Sequence, residues 1–122
     1  MNQPRYVPRR GDFIWLDFNP QKGHEQAGRR PAVVLSTTEY NRQVGLAVVC
    51  PITSAAKGYP WEVTIPLGEF VTGVVLSDQI KNVDWRGRNA EFISTATPGL
   101  LEDVIGKAFA LIDPEDDETP SS

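Results

Sequence analysis

The sequence predicts a mainly β fold, a small antiparallel barrel or sandwich carrying one C-terminal α-helix. Short apolar runs recur between turn signals, and they are too brief to stand as isolated helices. Only the last apolar segment switches to a helical period. Asp12 to Phe18 (DFIWLDF) is rich in aromatic and β-branched residues and stops at Asn19-Pro20, a turn signal. Ala32 to Ser36 (AVVLS) and Gly45 to Cys50 (GLAVVC) are short apolar runs, as expected of strands buried on both faces. Trp61 to Pro66 alternates, and Val74 to Trp85 holds one or two further strands. So many strands in so short a chain favour closure, which removes exposed edges. In TPGLLEDVIGKAFALI, Leu101, Val104, Ile105, Ala108 and Ile112 fall on one helical face. Thr97 is placed to cap that helix with Pro98 at its first position, and Glu102 and Asp103 precede Lys107 in the sense the helix dipole favours.

The length of 122 residues suits one domain, expected over residues 1–112, with residues 113–122 (DPEDDETPSS) as a disordered acidic tail. A single cysteine, Cys50, inside LAVVCPI, cannot form an intramolecular disulfide and suits a reducing compartment. With no secretory h-region and no apolar stretch long enough to span a membrane, the expectation is a soluble, cytoplasmic protein. The net charge of -4 is unevenly spread, because the last ten residues carry five acids and no base. Residues 1–60 hold eight bases against four acids, a basic half able to meet a phosphate backbone.

One cysteine and one histidine cannot build a Cys/His zinc site, and neither GxxxxGK[ST] nor GxGxxG is present. A Ser-His-Asp triad through His24 lacks a GxSxG elbow, so chemistry without cofactor or metal remains. GHEQAGRRP, from Gly23 to Pro31, concentrates His24, Glu25, Arg29 and Arg30 before an apolar strand. Arginine matches phosphate oxygens with a planar fork of donors, while histidine and glutamate can move protons or orient neighbours. Composition alone leaves two readings open, a solvated hairpin tip and a phosphate site. Thr53 and Ser54 follow a buried strand, with Lys57 beyond, and read either as donors to phosphate or as turn caps. Asp78 and Gln79 could contact bases or simply alternate outward, and Trp15 is a further candidate for base contact.

RYVPRRGDFIWLDFNPQKGHEQAGRRPAVVLS resembles the opening of the MazF/PemK family of toxin endoribonucleases, and PITSAAKGYPWEV and SDQIKNVDWRGR resemble its later signatures in order. The likeness runs over about residues 5 to 112. It implies an SH3-like (CcdB/MazF-like) β-barrel with a C-terminal helix, a homodimer, and metal-independent cleavage of single-stranded RNA at short sequences, with no cofactor. It further implies 2′,3′-cyclic phosphate and 5′-OH ends, and a cognate MazE-like antitoxin that covers the RNA groove with an acidic segment. Carried over residue by residue, Arg30 matches the catalytic arginine, Thr53 the threonine paired with it, and Glu25 the motif glutamate. His24 matches a histidine that PemK-like members use, Asp78 an aspartate assigned as their base, and Arg29 a variable position suited to phosphate attraction. The arginine that those members carry two residues before the aspartate is Leu76 here, which favours a site centred on Arg30 and Thr53. A non-catalytic, CcdB-like protein-binding toxin is the alternative on the same barrel. A DNA-binding regulator is disfavoured, because one helix cannot make a helix-turn-helix.

Overall fold

The computed structural model describes residues 6–18 and 28–116. Seven strands and two helices follow in the order β1 (Asp12–Phe18), β2 (Gly28–Val34), α1 (Thr38–Val44), β3 (Leu46–Thr53), β4 (Glu62–Thr64), β5 (Val74–Leu76), β6 (Lys81–Asp84), β7 (Glu91–Thr95) and α2 (Pro98–Ala110). The fold is thus mainly β with a C-terminal helix. β1 has the expected bounds. β2 starts four residues before its apolar run, since its pairing with β1 continues to Phe18 opposite Gly28. Val74 to Trp85 divides into β5 and β6 at a turn that includes Ser77 and Asp78. Two elements were not expected, β7 and α1. Seven residues are too few for periodicity to register, and α1 depends on its ends, where Thr37 accepts from the Tyr40 N–H and Gly45 closes the helix at φ 81°.

Every pairing is antiparallel, and the strands run β4-β5-β3-β2-β1-β7, with β6 also on β3. Among the described residues the barrel-like sheet stays open, because β4 and β7 stand at the two ends of the path and do not pair with each other. α2 supplies the missing cover. Its buried Leu100, Val104 and Ala108 pack with Phe13, Val33, Cys50, Ile52, Val63 and Val75 in one core cluster. The second cluster, on the other face, joins Ile14, Leu16, Phe18, Ala32, Val34, Ala47, Val49, Val83 and Trp85. β1 to β3 therefore feed both clusters, as their unbroken apolar runs require. The helical face departs from expectation at its ends. Leu100 is the deeply buried residue and Leu101 only partly so, and α2 stops at Ala110, which leaves Ile112 72% exposed. Thr97 does cap it, accepting from the Leu100 N–H. Of the acidic C-terminal stretch, Pro114–Asp116 form a 3-10 turn and residues 117–122 lie outside the described residues.

Asn41 of α1, fully buried, fastens three segments. Its Nδ2 donates to the carbonyls of Pro8 (2.8 Å) and Ser36 (3.3 Å), and its Oδ1 accepts from Ser36 Oγ at 2.5 Å. Ser36 Oγ in turn accepts from the Val48 N–H, and the Asn41 carbonyl accepts from Trp85 Nε1. A second fastener crosses the end of the β1–β2 hairpin where the connection between the two strands begins. Arg29 donates to Asp17 Oδ1 at 2.8 Å, to Glu91, and to the Asn89 carbonyl at 3.0 Å, while Asn89 Nδ2 reaches Asp17 Oδ2 at 2.7 Å. The hydrogen bonds from Asn89 and then Arg29 hold the Asp17 carboxyl below its ordinary range.

Asn41→Ala is expected to cost about 1–3 kcal/mol, the penalty for stranding buried polar partners, read as a lowered urea midpoint at unchanged slope. Asp17 has a pKa lower folded than unfolded, so its contribution is complete above the unfolded value near 4 and disappears as pH falls through the folded value. Wild type should therefore exceed Asp17→Asn in stability at neutral pH, and the gap should close in acid. Denaturant titrations at a series of pH values check this, and a gap that widens in acid contradicts it.

Candidate active site

Strand register sets where the chemistry can gather. Ala32 of β2 lies opposite Pro51 of β3, so two residues further along each strand Arg30 and Thr53 come to the same end of this antiparallel pair. Both share the side-chain parity of Ala32, Leu16 and Val49, the residues of the second cluster. Arg30 is half-buried opposite Leu16, and Thr53, the last residue of β3, is 6% exposed and paired with Val74. Gly73 lies against Thr53 at φ 117°, so closely that an added methyl would collide with the Thr53 carbonyl oxygen. Thr53 is thus fixed by backbone on two sides. Its Oγ1 accepts from the Ala55 N–H at 3.1 Å, which leaves the hydroxyl proton to be donated elsewhere.

Beside Thr53 opens a cavity of about 180 Å³, lined by Thr53, Ala55, Lys57, Tyr59, Glu62, Leu76 and Gln79. Three residues marked by the sequence, Thr53, Lys57 and Gln79, therefore share one wall system. Ser54 and Asp78 are exposed next to it in the chain. Leu76 is 2% exposed and forms an apolar part of the lining, so the position where an arginine would alter the site carries packing instead. Burial, and secondarily the charge of Asp78, pushes the Cys50 thiol up to about 12, and this side chain remains a neutral core group. His24 and Glu25 lie outside the described residues.

Two marked residues are directed elsewhere. Arg29 and Trp15 share the parity of Asp17, opposite to that of Arg30, because Asp17 faces Arg29 and Trp15 faces Pro31 across the hairpin. Arg29 is committed to Asp17 and Glu91, and its hydrogen bond to Asp17 raises its pKa further. A wider hollow of about 530 Å³ lies over Asp17, Arg29, Asn89, Ala90 and Glu91. Two carboxylates there outnumber one guanidinium, which makes it a poor host for phosphate despite its size. Sequence reasoning missed Glu62, read only as one position of an alternating strand. Its Oε2 accepts from the Lys57 N–H and its Oε1 from the Gly58 N–H, each at 2.9 Å. Nothing local in the sequence signals that contact beyond an acid placed shortly after a Lys-Gly pair.

The family described as PemK-like, MazF-like toxin of type II toxin-antitoxin system matches residues 9–110. The Escherichia coli endoribonuclease toxin MazF is 48% identical over 108 residues, covering 88% of this chain and 96% of its own length. Endoribonuclease PemK of Escherichia coli is 31% identical over 117 residues, covering 88% of each. Among solved structures, MazF (Form-I) from Deinococcus radiodurans superposes with a TM-score of 0.85 at 52% identity, over 88% of this chain and 98% of that one. The MazE-MazF complex (Form-II) from the same organism gives 0.81 at 51% identity, over 90% and 99%. A match over nearly the whole folded region, on the same strands that carry Arg30 and Thr53, means that this chain belongs to the PemK-like, MazF-like toxins of type II toxin-antitoxin systems.

Proposed function

We propose that this chain is a sequence-specific endoribonuclease toxin that cleaves single-stranded messenger RNA without a metal or cofactor and so arrests translation and growth. The observation that carries the reading is the placement of Arg30 and Thr53 at one end of the β2–β3 pair, with a cavity opening beside Thr53 that Lys57 and Gln79 also line. The endoribonuclease names of relatives at 48% and 31% identity support it. The 2′-OH of RNA is the nucleophile. It attacks the adjacent phosphorus, its proton leaves to a base, and the 5′-oxygen departs with a proton to give a 2′,3′-cyclic phosphate and a 5′-OH.

Arg30 stabilises the charge that gathers on the phosphorane-like transition state, since a guanidinium stays protonated and is a poor literal proton donor. Thr53 donates its free hydroxyl proton to a non-bridging phosphate oxygen. Glu25 and His24 are the groups offered for proton transfer or for orienting Arg30, with Asp78 as a further candidate base. Lys57, Gln79 and Ser54 border the RNA path, whereas Arg29, already paired with two carboxylates, braces the hairpin. The working form is a cytoplasmic homodimer held in check by a MazE-like antitoxin, as the MazE-MazF complexes of Deinococcus radiodurans suggest by analogy.

Incubating the purified protein with a long RNA in EDTA and mapping the new ends tests the reading. Cuts at a defined short sequence bearing cyclic phosphate are expected, and RNA left intact would falsify it. Arg30→Ala should lower the cleavage rate by about 10² to 10³, the scale for losing one preorganised electrostatic donor, at an unchanged melting temperature. Thr53→Val, which keeps the shape and removes the hydroxyl, should lose about 10- to 100-fold, the worth of one hydrogen bond to a charged group. Undiminished cleavage by either folded variant removes that residue from the mechanism.

A further inference from the structure

Residues 54–60, of which Ala55, Lys57 and Tyr59 line the Thr53 cavity, are all exposed and contain no helix or strand. Such a segment holds a shape only through individual anchors, because ordering each residue costs about 1–2 kcal/mol of backbone entropy. Its first anchor is Thr53 Oγ1 on the Ala55 N–H, and its far end is held by the Glu62 N–H on the Tyr59 carbonyl and by Lys107 Nζ on the Pro60 carbonyl at 2.7 Å. In the middle, the Glu62 side chain supplies the anchor. Both carboxylate oxygens of Glu62 accept backbone N–H bonds there, from Lys57 and Gly58, and Gly58 adopts φ 85°, a conformation that turns the chain and directs both amides to the same group.

We propose that Glu62 is a positioning residue for RNA binding, whose carboxylate clamps the Lys57-Gly58 backbone and thereby holds the wall of the cavity beside Thr53 in its binding shape. The assignment rests on the ribonuclease reading above and adds a residue that makes no contact with the scissile phosphate. A carboxylate lining an RNA site would otherwise repel the substrate. Two N–H bonds spread its charge and turn a liability into a brace. Because the brace acts before the reacting atoms are reached, it governs substrate binding and leaves the chemical step alone.

The test compares wild type with Glu62→Gln and Glu62→Ala, using a short oligoribonucleotide that contains the cleavage site mapped on long RNA. Glutamine keeps one acceptor and alanine none. KM is expected to rise by about 3-fold for Glu62→Gln and about 10-fold for Glu62→Ala, the scale of lost charge-assisted hydrogen bonds at a partly exposed site, with kcat nearly unchanged. The melting temperature should stay within a few degrees, and amide hydrogen exchange should accelerate at Lys57 and Gly58. An unchanged KM in both variants, or a fall in kcat that tracks a fall in melting temperature, overturns the positioning role. Wild type that cuts no RNA overturns the ribonuclease reading as well. The exchange rates at Lys57 and Gly58 separate the two failures, since they report on the clamp with no substrate present.

Discussion

The structure depends on one strand, β3, that changes partner along its length. β3 pairs along Ala32 to Val34 with β2, and its other pairings change partway, Leu46 to Val49 with β6 and Ile52 to Thr53 with β5. Cys50 and Pro51 lie at the change and pair with neither β5 nor β6. Pro51 has no N–H to offer a ladder, so a proline costs least at this crossing point. Because side chains from both faces of β3 enter a core cluster, LAVVCPI admits no polar residue until the strand ends. The first polar residue is Thr53. Its position at the rim of the core follows from where burial stops, and the Val74 pairing and the approach of Gly73 then leave it little freedom.

A short chain with an unclosed sheet must fasten its connections by side chains, and the two fasteners near the site use the same device. A charged group binds backbone or countercharge from a neighbouring loop, as Arg29 does with Asn89 and Asp17, and as Glu62 does with Lys57 and Gly58. Asn41 does the same work deeper in, where a neutral amide avoids the desolvation cost of a charge. Rigid placement of phosphate-binding groups matters more than their number for this chemistry, since effective molarity falls steeply with small misplacement. Loops tied down before substrate arrives meet that requirement.

Much of this was legible in the residues. The strand runs, the Thr97 cap and the helical period survive into the fold because each is local, resting on turn chemistry or on burial of one face. What escaped was decided at long range. α1 is a single cap-held helix whose purpose, carrying Asn41 to Pro8 and Trp85, joins residues more than thirty positions apart. β7 (EFIST) mixes exposed and buried positions as an edge strand, and only its pairing with β1 defines it. Glu62 looked like any outward strand residue, and its role appears only when the preceding loop folds back onto it. The catalytic candidates were legible through resemblance, whereas composition alone left GHEQAGRRP divided between a wet hairpin and a site.

Arg29 and Arg30 show what the fold adds. Adjacent, chemically identical and both near the apolar strand, they are indistinguishable by charge or by hydropathy. Extension of β2 back to Gly28 makes them strand residues, and strand geometry sends neighbours to opposite faces. Arg29 then meets Asp17 and Glu91, which consume its charge, while Arg30 shares its face with Leu16 and reaches the end of β3 where Thr53 stands. A one-residue slip in the β1–β2 register would turn every β2 side chain to the opposite face, taking Arg30 off the face it shares with Leu16. The ion pairs of Arg29 with Asp17 and Glu91 stabilise the observed register, in which Arg29 stands opposite Asp17. Arg29, braced against the acids, therefore helps to hold Arg30 on the face that ends beside Thr53.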